Sequence, residues 1–78
     1  MTTIYHAIEA TATEDPKTGV SRKFICMFKS TNRAQVALMA DRIINRGFAY
    51  LGGKRIAVKA VKLVAVYFDK NGKMVVEG

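Results

Sequence analysis

Cysteine, histidine and proline occur once each in these 78 residues, and tryptophan not at all. A single cysteine, Cys26, excludes an internal disulfide. A structural zinc site needs several Cys, His or acidic ligands grouped together, and Cys26 and His6 alone do not supply one. Catalytic groups are equally scarce. His6 alternates with Ile4 and Ile8, which suits a partly buried structural position better than a general base. Cys26 alternates with Phe24 and Phe28, the setting of a small core hydrophobe and not of an activated thiolate. Glu14 and Asp15 adjoin Pro16, where an aspartate supports a bend. Gly52-Gly53-Lys54 lacks the remaining spacing of a phosphate-binding loop and opens a strand, so it reads as a tight turn. The expectation is a protein without enzymatic activity, cofactor or metal. Long apolar runs are also missing: no segment approaches the ~20 apolar residues of a spanning helix. The opening MTTIYHAIEA has no basic region ahead of an apolar one, unlike a signal peptide. A soluble cytoplasmic protein with no membrane partner is expected.

Acidic residues number only six against thirteen lysines and arginines, a net charge of +7. The imbalance is local. Between Pro16 and Phe68 there are eleven lysines and arginines and one acid, Asp41, whereas the first fifteen residues carry Glu9, Glu14 and Asp15 and no lysine or arginine. Such polarisation favours an anionic partner: nucleic acid, an anionic surface or an acidic protein. The acidic N-terminal strand is expected at an edge or end away from the positive surface.

The hydrophobic fraction of 50% is ample for folding, and the length suits one small domain spanning 1–78. Residues 3–13 alternate, with Ile4, His6, Ile8, Ala10 and Ala12 on one side. Asp15-Pro16-Lys17-Thr18-Gly19 is a turn, and residues 20–30 form a second strand. On it Phe24, Cys26 and Phe28 share one face, and Lys23, Ile25, Met27 and Lys29 the other. Ser30-Thr31-Asn32 supplies N-cap chemistry for a helix from about Asn32 to Arg46, with Gly47 as its left-handed C′ residue. Val36, Met39, Ala40, Ile43 and Ile44 form its apolar stripe. Phe48 to Gly53 reads as a connection. Residues 55–68 form a long β-branched strand whose phase changes near Ala60-Val61-Lys62, which a bulge would reconcile. Asp69-Lys70-Asn71-Gly72-Lys73 is a hairpin turn, and Met74 to Glu77 pairs back. The fold expected is α+β, in the order β-β-α-β-β, an antiparallel sheet with one helix on one face.

Arg46-Gly47-Phe48-Ala49-Tyr50-Leu51 resembles the opening of the RNP1 motif of the RNA-recognition motif family, whose aromatics stack on unpaired bases. The resemblance spans six residues and departs at Gly53, where that motif has another aromatic. The family's β-α-β-β-α-β order needs a second helix that this chain does not show, so membership is not assigned. A basic surface contacting phosphates is the main functional expectation, through Lys23, Lys29, Arg42, Arg46, Lys54, Arg55, Lys59 and Lys62. Tyr5, Phe48, Tyr50 and Tyr67 would add stacking where exposed. The rival expectation is an inhibitor or adaptor docking on an acidic or nucleoprotein partner, in the style of phage or mobile-element accessory proteins. Its contact face would be Ile25 and Met27, or Leu38 beside Arg42 and Arg46 on the helix. Leu38 has a plainer reading, packing under a loop. A sheet covered on one face by one helix leaves the other face for a partner or for a homodimer.

Overall fold

The computed structural model describes residues 2–77, which form five strands and one helix. Their order is β1 (Tyr5–Ala12), β2 (Lys23–Ser30), α1 (Arg33–Arg46), β3 (Phe48–Leu51), β4 (Lys54–Phe68) and β5 (Met74–Glu77). All the pairings are antiparallel, and the sheet runs β2-β1-β4-β3, with β5 also on β4. The α+β class, the helix on the sheet and the four expected strands are present. Phe48–Leu51, read from sequence as a connection, is a fifth strand. It pairs with Lys54–Ala57 through a two-residue turn at Gly52-Gly53. Both turn residues have positive φ, 58° and 77°, the geometry that matches strand twist and that glycine adopts without steric cost.

The helix ends where its chemistry dictates. The Asn32 side chain accepts from the Ala34 N–H at 3.0 Å. Gly47 (φ 81°) donates its N–H to the Ile43 carbonyl at 2.8 Å. Val36, Ala40 and Ile43 are buried against Ile8, Ala10, Cys26, Ala49 and Val58, and this is the main core. Ile44, placed on the same stripe, is partly exposed.

The phase change in β4 is real. Thr11 pairs with Ala60 but Ala12 with Val58, so Lys59 is an extra residue in the ladder. Val58 before it and Val61 and Leu63 after it therefore all face the helix. Ala7, Val64 and Val66 form a second cluster on the helix-free face, packed against Tyr5, Ile25 and Met74. Alternation lets one strand feed both clusters, and the bulge keeps Val58 in phase with Val61 and Leu63 on the helix face.

Two expectations about β1 and β2 are corrected. The acidic strand is not at an edge. β1 lies between β2 and β4, with Glu9 in register with Ile25 and Lys62. Its buried Ala7, Ile8 and Ala10 place it there, because apolar burial on both faces outweighs a few exposed charges. Nor are Ile25 and Met27 equally available as a contact face. The register shifts between Ala7↔Lys29 and Glu9↔Ile25, which puts Met27 in an irregularity where it is 81% exposed. Ile25 instead packs into the second cluster.

Candidate nucleic-acid interface

The turn at Gly52-Gly53 folds β4 back on β3 and brings two arginines nine positions apart onto one ring. Arg46 ends the helix, and its Nε donates to the Phe48 carbonyl at 2.8 Å. Its guanidinium carbon lies 4.7 Å from the Phe48 ring centroid and 5.7 Å from that of Tyr50. Arg55, in register with Tyr50 on β4, places its guanidinium carbon 4.2 Å from the same Phe48 centroid. Phe48 and Tyr50 meet edge to face, 5.6 Å apart at 86°. Strand alternation explains the grouping: Ala49 turns into the core, so Phe48 and Tyr50 turn away from it. Phe48 is half-buried beneath this group and Tyr50 is 51% exposed.

The other expected cations distribute unevenly. Lys23, Lys29 and Lys62 lie in register with Thr11, Ala7 and Glu9, which places all three on the helix-free face. Lys54 opens β4 at the glycine turn. Lys59, the bulge residue, is diverted to Glu14, Nζ to Oε1 3.3 Å. That is the one carboxylate–cation contact within 4.0 Å among the described residues. Arg42 is exposed on the helix and does not join the group around Phe48. Leu38 is 56% exposed, with no described loop over it. Of the expected stacking residues, Tyr5 is engaged edge to face with Phe68 at 6.0 Å. Tyr67 is half-buried on β4.

Beside the arginine–aromatic group runs a groove of about 190 Å³, bounded by Met27 and Phe28 of β2, Met39 and Ile43 of α1, and Arg46, Ala49 and Tyr50. Cys26 is buried at its base. Burial pushes the Cys26 thiol above its ordinary pKa, against the pull of the nearby Arg46 and Lys29 charges, so it stays protonated and inert at neutral pH. A wider hollow of about 380 Å³ lies at the far end of β4, lined by Thr2, Thr3, Tyr5, Phe68, Asp69 and Lys70. Its one acid and one base carry opposite charges, so no charge of one sign converges there among the described residues. Among the described residues no three metal-ligating side chains cluster, and no helix is long and apolar enough to cross a membrane.

Reading the residues alone recovered Arg46 and Arg55 as cations but missed their meeting over Phe48. The signal was available: Phe-x-Tyr, a Gly-Gly pair and Arg-x-Ala form a short hairpin. No protein-family model, curated protein or solved structure matches this chain.

Proposed function

We propose that the protein binds nucleic acid without catalysing a reaction, with phosphate contacts centred on Arg46 and Arg55. The observation that carries this reading is the pair of guanidinium groups stacked on Phe48 beside a half-exposed tyrosine. An arginine resting on an aromatic face has its fork of N–H donors already ordered, so less side-chain entropy is lost when it meets a phosphate. Neither arginine has a carboxylate within 4.0 Å among the described residues, so their charge is uncompensated locally. Lys54 flanks the group along β4. Lys23, Lys29 and Lys62 extend positive charge over the helix-free face. Binding of this kind releases counterions and weakens steeply with salt.

The test is a salt titration of the wild type and of the Arg46→Met/Arg55→Met pair on a DNA duplex and a single strand. Wild-type affinity at low salt should fall linearly on a log–log plot. The double variant should flatten the slope by about 0.7–0.9 for each phosphate contact removed. Absence of low-salt binding, or binding indifferent to salt, would refute the proposal.

A second reading draws on Leu38, exposed one helical turn from Arg42. An apolar anchor beside an arginine suits an inhibitor or adaptor that docks on an acidic or nucleoprotein partner, in the manner of a phage accessory protein. Capture of a partner that survives nuclease, and is lost in Leu38→Glu, would favour it over the first.

A further inference from the structure

We propose that the groove between β2 and β3 takes an unpaired nucleobase, so that the preferred ligand is single-stranded nucleic acid. The inference rests on the nucleic-acid reading above and adds to it where the base goes. Among the described residues β2 pairs only with β1, and β3 only with β4, so the facing edges of both strands are unpaired. The sheet curls until these edges approach each other, and the gap between them is the groove. Its volume of about 190 Å³ suits one planar ring system. Its base is apolar, with Ala49 and Cys26 buried, and its rim offers the exposed faces of Phe28 and Tyr50.

Three features favour a base over another flat or apolar group. Phe48 is already covered by Arg46 and Arg55, which leaves Tyr50, the more exposed, and Phe28 as the aromatic surfaces at the rim, with the Arg46 guanidinium 5.7 Å from the Tyr50 centroid. No acid lines the groove among the described residues, and Arg46 at its rim stands ready for the phosphate attached to an inserted base. The thioethers of Met27 and Met39 adapt to rings of different outline, which suits binding that tolerates any base. Paired bases keep their faces inside the duplex stack, so a duplex offers this groove only its backbone.

Fluorescence anisotropy at low and at moderate salt decides the matter with four labelled twelve-nucleotide ligands: oligothymidine, oligouridine, an abasic strand of equal charge, and a duplex. Stacking of one base on an aromatic side chain changes affinity by about 5- to 150-fold. At least one of the two base-bearing strands should therefore bind that much more tightly than the abasic strand. The comparison of thymidine with uridine shows which of two nucleotides, differing in sugar and in the 5-methyl group, the site prefers. Tyr50→Ala should bring the base-bearing strands down to the abasic level measured with the same variant, a far larger loss than it causes for the abasic strand or the duplex. Tyr50→Phe should stay near wild type, and circular dichroism of both variants should match it. If all four ligands bind wild type equally with a steep salt dependence, the groove inference is overturned and the phosphate reading stands. If none binds even at low salt, both are overturned.

Discussion

Replacing Phe48 by leucine keeps an apolar side chain of similar reach on β3 and removes the ring on which two guanidinium groups rest. Arg46 approaches that ring at 4.7 Å and Arg55 at 4.2 Å, and Tyr50 meets it edge to face at 5.6 Å. Exposed cation–π contacts contribute about 0.5–1 kcal/mol each, and an aromatic pair about 0.5–1.5 kcal/mol beyond its buried area. The sum is about 1.5–3.5 kcal/mol of stability. For a chain this short each kcal/mol moves Tm by about 4–8 °C, so a fall of at least about 6 °C is expected. Urea unfolding of Phe48→Leu, Arg55→Met and the double variant isolates the pair, and their coupling should reach about 0.5–1 kcal/mol. Nucleic-acid affinity should fall too, because both arginines lose the surface that orders them. Additivity within about 0.3 kcal/mol, with an unshifted Tm, would mean the stack contributes nothing and the site's main support is gone.

Gly47→Ala should cost about 1–2 kcal/mol in chemical denaturation, because a Cβ is placed on a residue at φ 81° that ends the helix. Deleting Lys59 should abolish the cooperative thermal transition. Without the bulge either Ile56 and Val58 or Val61 and Leu63 turn to the wrong face, at about 1.5–3 kcal/mol for each large side chain exposed. Lys59→Ala, by contrast, keeps the bulge and loses only an exposed ion pair, under about 1 kcal/mol. The Cys26 thiol is held above its ordinary pKa when folded, so its contribution is whole below the unfolded pKa and declines as pH rises through the folded one. Cys26→Ala should therefore lose less stability than wild type as pH rises above the ordinary thiol pKa of about 8.5, measured by urea unfolding.

The parts of the fold that were legible in the sequence are those written in local chemistry. Asn32 and Gly47 bracket the helix because a cap and a left-handed stop act within a few residues. The bulge in β4 was legible because Ile56 and Val58 claim one parity and Lys62 contradicts it, and the extra residue falls at Lys59. β3 was hidden because four residues directly after a helix stop are too few to display a period of two. Strand order was hidden because it depends on which strands bury both faces. Charge suggested an edge position for β1, whereas Ala7, Ile8 and Ala10 hold it in the interior. The meeting of Arg46 and Arg55 required that order and the hairpin together. The Phe-x-Tyr, Gly-Gly and Arg-x-Ala spacing reveals it only once Phe48–Leu51 is read as a strand.

The central position of β1 has an electrostatic consequence that can locate the phosphate track. Glu9 is the sole acid of that strand, and it stands in register with Lys62, with Lys23 and Lys29 in the rows on either side. Directly opposed residues in a sheet lie about 5 Å apart and diagonal ones about 7–8 Å. Glu9 therefore faces the same solvent as three lysines, and it has no ion pair within 4.0 Å among the described residues. If nucleic acid crosses this face, a backbone phosphate drawn to Lys62 also meets the Glu9 carboxylate. Repulsion across several ångströms of water is worth up to about 1 kcal/mol, which is about fivefold in affinity. Glu9→Gln should then tighten binding by about two- to fivefold at low salt, with the gain shrinking as salt is raised. If the track is confined to the hairpin around Arg46 and Arg55, the same substitution leaves affinity unchanged while Arg55→Met still weakens it. An unchanged or lowered affinity for Glu9→Gln would remove Lys23, Lys29 and Lys62 from the interface and leave the arginines alone to hold the ligand.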